Sequence, residues 1–394
     1  MSLSDRQRPE GFHRTTSSAV LSTNPLSSTI YRPLTTEAIM PGPVEHYPVS
    51  GNSHAFVERL RPAPRDGGFA MDDWWIWGTS VVPGDDGDYH AFASRWSKEI
   101  PFSPGWTSNS HIVRGIASTP EGPFEFVEEV VSPGESGDWD RMSHNPSVVR
   151  AGDRYLLYYY GCHYDGPRPT PDDPHGVDRD RSAVGLASAP APDGPWEKHG
   201  PVIDGETNAV PVVDDDGGVT VFVRDGDFEL SVYRADHWSD LDGYDLVAEH
   251  VLAPLEDHAV WKDPTGGFQL VAKDMSAHHE HGGYVDSYAG FHATSPDGVD
   301  WTVSDPPAAY PHATGGDRDL RVRWDDGTET SFPNVERAQV LVEDGTPTHL
   351  ALAVMEYSEE DRAAADGPAD LASHAKWPAD ARNVCLPLDP PPSA

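Results

Sequence analysis

Lysine is almost absent from this sequence: Lys98, Lys198, Lys262, Lys273 and Lys376 are the five it has in 394 residues. Arginine supplies the rest of 28 basic residues, against 65 acidic ones, and the formal net charge is −37. An excess of this sign excludes nucleic acid and anionic membrane surfaces as natural partners, because both repel it. Cysteine is scarce too. Cys162 and Cys385 have neither the spacing of a metal site nor the number for a disulfide framework, so they are expected free or buried. No apolar run approaches a membrane span, and Met1 to Val20 hold none of signal-peptide length. The expectation is a soluble, cytoplasmic protein.

The acidic residues are scattered through strand-like segments instead of being collected in a tail, which makes them part of a folded surface. In dilute buffer their repulsion pushes the fold apart. At molar salt the Debye length falls to about 3 Å and the repulsion is screened. This balance points to halophilic adaptation.

What is abundant is aromatic residues, glycine and proline, spread along the chain as in a protein of many short strands. Residues 1–50 are rich in Ser, Thr and Pro without periodicity and read as an arm or strap. From 51 to 394 a unit returns: an apolar strand, an acidic Gly turn, a second strand rich in aromatics, then a third ending in a Pro-Gly turn. Ser80-Val81-Val82, Asp85-Asp86-Gly87 and Tyr89 to Ser94 form one pass; Ser147-Val148-Val149, Ala151-Gly152-Asp153 and Tyr155 to Tyr159 form the next. Further passes run from Pro211, from Ala259 and, less completely, from Gln339, with Val384 to Leu388 available to complete the last. A three- or four-stranded unit cannot bury both faces alone, and five set radially can. The fold class expected is all-β, a single five-bladed β-propeller with Ser80, Ser147, Val212, Ala259 and Val340 on its innermost strands.

Several stretches, in order, resemble the five-bladed propeller glycoside hydrolases, in particular the sucrase-like group associated with glycoside hydrolase family 43. They are Trp75-Ile76-Trp77-Gly78-Thr79-Ser80, Ala93-Ser94-Arg95-Trp96, Ser143-His144-Asn145-Pro146, Glu256-Asp257-His258, Val271 to Met275 and Val335-Glu336-Arg337-Ala338. The resemblance implies acid–base cleavage of a glycosidic bond in a small saccharide, by inversion as in the arabinanase branch. It also admits a calcium ion on the propeller axis, for which no ligand set can be read; no other cofactor is expected. The chain departs from that branch at Gly78, where an Asp opens the first blade, and at Asn208-Ala209, where a second Asp stands. His258 and Ala338 replace prolines.

Such cleavage needs two carboxyl groups, one protonated and one ionised. The innermost strand of a blade presents its first residues to the central channel, so the candidates stand just before those strands: Glu256, Asp257, Glu336, Asp73 and Asp140. Strand alternation predicts that only one of Glu256 and Asp257 faces the channel. Arg337 is placed to keep Glu336 ionised or to clamp a sugar hydroxyl. Trp75, Trp77, Trp96 and Trp106 offer flat faces to a sugar ring. Arg95, His144, Asn145, Lys273 and Asp274 are polar groups at the ends of apolar strands, where burial without a partner costs a few kcal/mol. Lys273 stands out in a surface that avoids lysine. His278, His279 and His281 lack the company of a transition-metal site and read as a loop at the substrate rim. A non-catalytic carbohydrate-binding propeller and a phosphorylase or transglycosylase are the competing readings.

Overall fold

The computed structural model describes residues 49–50, 56–205, 207–278, 282–310, 320–332, 334–358 and 378–390. Strands dominate them, with one four-residue helix, Phe102–Gly105, and two short 3-10 turns among the described residues. Five sheets are arranged radially as a five-bladed propeller. Their innermost strands, Trp74–Pro83, Met142–Ala151, Thr207–Val213, Leu255–Lys262 and Asn334–Glu343, touch one another in a closed circle. Ser80, Ser147, Val212, Ala259 and Val340 all lie on them.

Each blade runs outward as an antiparallel meander. Inner strands are buried on both faces, which is why Trp75-Ile76-Trp77 and Val148-Val149 read as apolar runs instead of alternating. Outer strands face water. Glu125–Val131 and Asp245–Leu252 are largely exposed and carry five acidic residues between them. Facing blades close over apolar cores: Phe92, Ile112, Leu157 and Tyr159 between the first and second, and Phe222, Leu230, Leu270 and Trp301 between the third and fourth. The acidic turns are turn chemistry. Asp86, Asp216, Asp263 and Asp326 each accept the N–H two residues on, at 2.7–3.2 Å.

The fifth blade closes the ring with both ends of the described chain. Its third strand, Asp380–Pro387, pairs with Thr346–Glu356, and residues 60–69 run beside it. Phe69 and Asn383 exchange N–H···O bonds of 3.2 and 3.0 Å. Gly68, at φ +84°, lets the chains approach: a Cβ there would lie 2.0 Å from the Asn383 carbonyl oxygen. Of the segment read as an arm, Val49–Ser50 run parallel to Thr302–Tyr310 at the edge of the fourth blade, and residues 1–48 lie outside the described residues. Among the described residues no helix is long and apolar enough to cross a membrane.

Candidate active site

The five inner strands share one irregularity. Pairing with the second strand slips between Trp77 and Ser80, His144 and Ser147, Thr207 and Val210, Glu256 and Ala259, and Glu336 and Gln339. Within each slip one residue has a left-handed backbone: Gly78, Asn145, Asn208, Asp257 and Arg337, with φ from +51° to +60°. Gly, Asn and Asp are the residues that tolerate this region, and four of the five positions hold them. Arg337 is the exception.

These bulges undo strand alternation, and the expectation that only one of Glu256 and Asp257 reaches the centre does not hold. Glu256 and Asp257 both touch Lys273 there. The bulge residues themselves link around the axis. Asn145 Nδ2 donates to Asn208 Oδ1 at 2.7 Å, and Asn208 Nδ2 to Asp257 Oδ1 at 3.4 Å. The Arg337 backbone N–H donates to Asp257 Oδ2 at 3.0 Å, and Nη1 to Oδ1 at 3.4 Å. Gly78 completes the ring by having no side chain. A Cβ there would come within 3.3 Å of both Arg337 Nε and Asn145 Oδ1. Arg337 therefore pairs with Asp257 across the blades and not with its sequence neighbour Glu336, because the bulge turns the two side chains apart.

An axial calcium does not fit this ring. Calcium takes six to eight oxygens, whereas the ring offers one carboxylate, already engaged, two amides and a guanidinium that is 1% exposed. The axis already holds a cation. We expect chelator and added calcium to leave the melting temperature unchanged. Arg337→Met, which takes the guanidinium from Asp257 and leaves it Lys273 as a cation, should cost about 3–5 kcal/mol. Both are read by thermal unfolding, and a calcium-dependent melting temperature would overturn this account of the axis.

Above the ring, three carboxylates converge on one ammonium. Lys273 sits opposite Glu256 in the strand pairing of the fourth blade. Its Nζ lies 3.1 Å from Glu256 Oε2, 3.1 Å from Asp257 Oδ2 and 3.5 Å from Glu336 Oε1. Arg224 Nε approaches Glu256 Oε1 at 3.7 Å. Lys273 and Asp257 are buried, while the Glu256 and Glu336 side chains keep 22% and 24% of their surface open. Burial opposes a charge on Asp257, but Lys273 and Arg337 outweigh it and hold the carboxyl at about 2. At Glu336 burial wins over Lys273, helped by the charges of Asp257 and Glu256, and pushes the carboxyl up to about 7. This reverses the expectation that Glu336 would be the ionised member beside Arg337. Around the cluster stand His258 and two groups not singled out from the sequence, Tyr310 and Tyr288. The buried Tyr310 hydroxyl has no hydrogen-bond partner among the described residues and is raised above the usual phenol range by burial, with Asp257 adding to it. Tyr288 shares a 2.8 Å bond with His278. His258 donates from Nε2 to the Phe222 carbonyl at 3.1 Å, and burial lowers it to about 4.

The second blade contributes His144, the counterpart of Glu256 and Glu336 one residue before its bulge. It packs between Trp96 and Trp106, meets Ser110 Oγ at 2.7 Å, and is lowered to about 3 by burial, then by Arg337 and Arg179. The remaining predicted residues lie elsewhere. Asp73 is exposed at the entry to the first blade. Asp140 is buried toward the outside of the second blade, accepting from Tyr159 at 3.0 Å and paired with Lys198 on the outer strand Glu197–Asp204. Arg95 points outward too, held between Trp74 and Phe126 and paired with Glu129 at 2.7 Å. Trp75, Trp77 and Trp96 pack around Phe102 in the core between the fifth and first blades, with indole N–H groups of Trp75 and Trp96 tied to backbone carbonyls. Asp274 organises a loop, accepting from the N–H groups of Ser276, Tyr284 and Val285 at 2.6–3.2 Å. These groups satisfy their polarity inside the protein, which is the alternative to lining a site. His279 and His281 lie outside the described residues. One set of metal-ligating type occurs among the described residues, Asp225, Glu229 and His250, and it is an ion-paired hairpin end on the third blade.

No protein-family model matches this sequence, and no curated protein matches it. Solved structures do match. A family 117 glycoside hydrolase produced by the marine bacterium Zobellia galactanivorans superposes with a TM-score of 0.54 at 14% identity, over 83% of this chain and 89% of its own. The catalytic domain of a Coprinopsis cinerea GH62 α-L-arabinofuranosidase gives 0.53 at 11% identity, over 84% and 98%. A GH43_1 enzyme from Xanthomonas citri gives 0.51 at 13%, over 85% and 92%. The fold is that of the five-bladed propeller glycoside hydrolases. At these identities the likeness is one of architecture, and the chemistry has to be argued from the side chains.

Proposed function

We propose that this protein is a glycoside hydrolase acting on a small saccharide, with Glu336 as proton donor and Glu256 as base. The observation that carries the reading is the convergence on Lys273 of three carboxylates in unlike environments. Asp257 is locked into the axial ring and positions Lys273 and Arg337. Glu256, with Lys273 at 3.1 Å and Arg224 at 3.7 Å, is set to act as base. Glu336, farther from Lys273 at 3.5 Å and raised to about 7, keeps its proton near neutrality. Glu336 passes that proton to the glycosidic oxygen as the bond to the anomeric carbon breaks. Glu256 takes a proton from the water that attacks that carbon. The carboxylate left on Glu336 has Lys273 beside it, so the step creates no isolated charge. We assign inversion on the resemblance to the arabinanase branch; retention of configuration in the product would make Glu256 a nucleophile instead.

A non-catalytic sugar-binding propeller remains the second reading, favoured by the missing first-blade carboxylate at Gly78. Reducing-sugar release from aryl glycosides and disaccharides in molar potassium chloride separates the two. Turnover is expected there and not in dilute buffer, because a net charge of −37 fits a protein of a salt-rich cytoplasm. We expect the melting temperature to be higher in about 2–3 M salt than in dilute buffer. Equal melting temperatures would remove the halophilic part of the proposal. Sugar binding without release on any substrate would remove the catalytic part.

A further inference from the structure

We infer that the substrate carries an anionic substituent, a carboxylate or a sulfate ester, received by Arg179 against the face of Trp106. The inference rests on the reading of the centre as a saccharide site and adds the class of sugar. Arg179 opens the third strand of the second blade, Arg179–Ala189, at the end where the inner strands begin. Its guanidinium carbon lies 5.0 Å from the Trp106 ring centroid, and Nη1 donates to the Tyr160 hydroxyl at 3.1 Å. Trp106 is half-buried and stands 5.3 Å from His144, so this pair borders the same centre as Glu256 and Glu336 from the opposite side.

What marks Arg179 is the company it lacks. The chain has 65 acidic residues to 28 basic ones, and several arginines hold carboxylates, Arg95 with Glu129, Arg114 with Glu128, Arg150 with Asp85 and Arg382 with Glu356. Arg141, Arg154 and Arg234 bond to backbone carbonyls or a hydroxyl. Arg59 and Arg168 are satisfied by backbone carbonyls. Arg179 is flanked in sequence by Asp178 and Asp180 yet pairs with neither, and Asp180 is taken by His163. Its Nε and Nη2 have no hydrogen-bond partner among the described residues. That edge presents two parallel N–H groups, the geometry that grips a carboxylate or sulfate with two bonds. Trp106, Tyr160 and the neutral His144 bring no negative charge to it.

The arrangement also orients a ligand. Arg179 holds the charged end against the second blade, so the scissile bond lies over Glu256 and Glu336 on the fourth and fifth blades. The field of a protein at −37 opposes the approach of such a substrate, and salt screens that field. The kcat/KM for a charged substrate should therefore rise more steeply with salt than that for a neutral one.

The test uses aryl glycosides sharing one leaving group and one configuration: a neutral hexoside, the matching uronide, and a sulfated hexoside. In the wild type one charged member should exceed the neutral one in kcat/KM by about tenfold to a hundredfold, the worth of a charge-assisted pair. The uronide and sulfate arms tell carboxylate from sulfate. In Arg179→Gln the charged-to-neutral ratio should fall to about one. In Arg179→Lys, which keeps the charge and loses the fork, it should fall between. A ratio is unaffected by any loss of folded protein. A wild-type ratio at or below one, or a ratio that Arg179→Gln leaves unchanged, overturns the inference. Should no glycoside turn over, binding of the free neutral, uronate and sulfated sugars by calorimetry decides. Charge-selective binding abolished in Arg179→Gln upholds the inference while hydrolysis fails; binding without that selectivity, or no binding, sinks it.

Discussion

Glu336→Gln should lower kcat by about 10²–10⁴ on any substrate the protein turns over, while leaving it folded. Gln is isosteric, fits the same space beside Lys273, and has no proton to give. In the wild type, kcat/KM should fall as pH rises through about 7, because the donor is lost as Glu336 ionises. The variant's residual rate should lack that limb. An activated leaving group such as dinitrophenolate, which needs little protonation, should recover most of the lost rate. Rising pH should favour the variant in stability. The folded-state carboxyl, near 7, lies above the 4.5 of an unperturbed glutamate. Its contribution to wild-type stability is therefore complete below about 4.5 and is lost as pH rises through 7. Gln does not titrate, so the variant should melt above the wild type at pH 8 relative to their difference at pH 4. Full activity in the variant, or a pH profile flat to 9, would remove Glu336 as donor.

Lys273→Met should be strongly destabilising, costing roughly 3–5 kcal/mol at pH 8. It removes the one ammonium that lies between Glu256, Asp257 and Glu336, and leaves three carboxyls of like sign around an apolar side chain. Arg337 still holds Asp257, so the repulsion should fall mainly on Glu336 and raise it further. The destabilisation should shrink at pH 5, where Glu336 is protonated in both proteins. Denaturant unfolding in molar salt at the two pH values measures this. Lys273→Arg keeps the charge and guards against a variant that does not fold. A loss under about 1 kcal/mol that does not change with pH would mean the cluster is not held by Lys273.

Part of this site was legible without coordinates, for reasons that are local. A residue just before an apolar strand of the repeating unit must begin an inner strand, and this located Glu256, Asp257 and Glu336. Lys273 was conspicuous because the rest of the chain avoids lysine. The same rule also selected Asp73 and Asp140, which lie away from the axis: one remains in water, and the other is drawn outward by Tyr159 and Lys198. Trp75, Trp77 and Trp96 sit near the strand starts as expected, but Phe102 packs them into an interblade core. Trp106, in the turn that follows that helix, is the half-buried one of the four.

By itself, then, the sequence determined the strand rhythm, the number of blades and the acidic outer surface, because side-chain alternation, turn residues and charge act over a few neighbouring residues. Gly78, Asn145, Asn208 and Asp257 are even the residue types that accept a left-handed backbone. Only the tertiary structure decided that all five inner strands bulge at equivalent points. It alone turned Arg337 away from Glu336 onto Asp257, set one guanidinium over Gly78, and gave three neighbouring carboxyls one ammonium. Those outcomes depend on contacts between blades 80 residues apart in sequence and more, where burial and opposing charges choose which carboxyl keeps its proton.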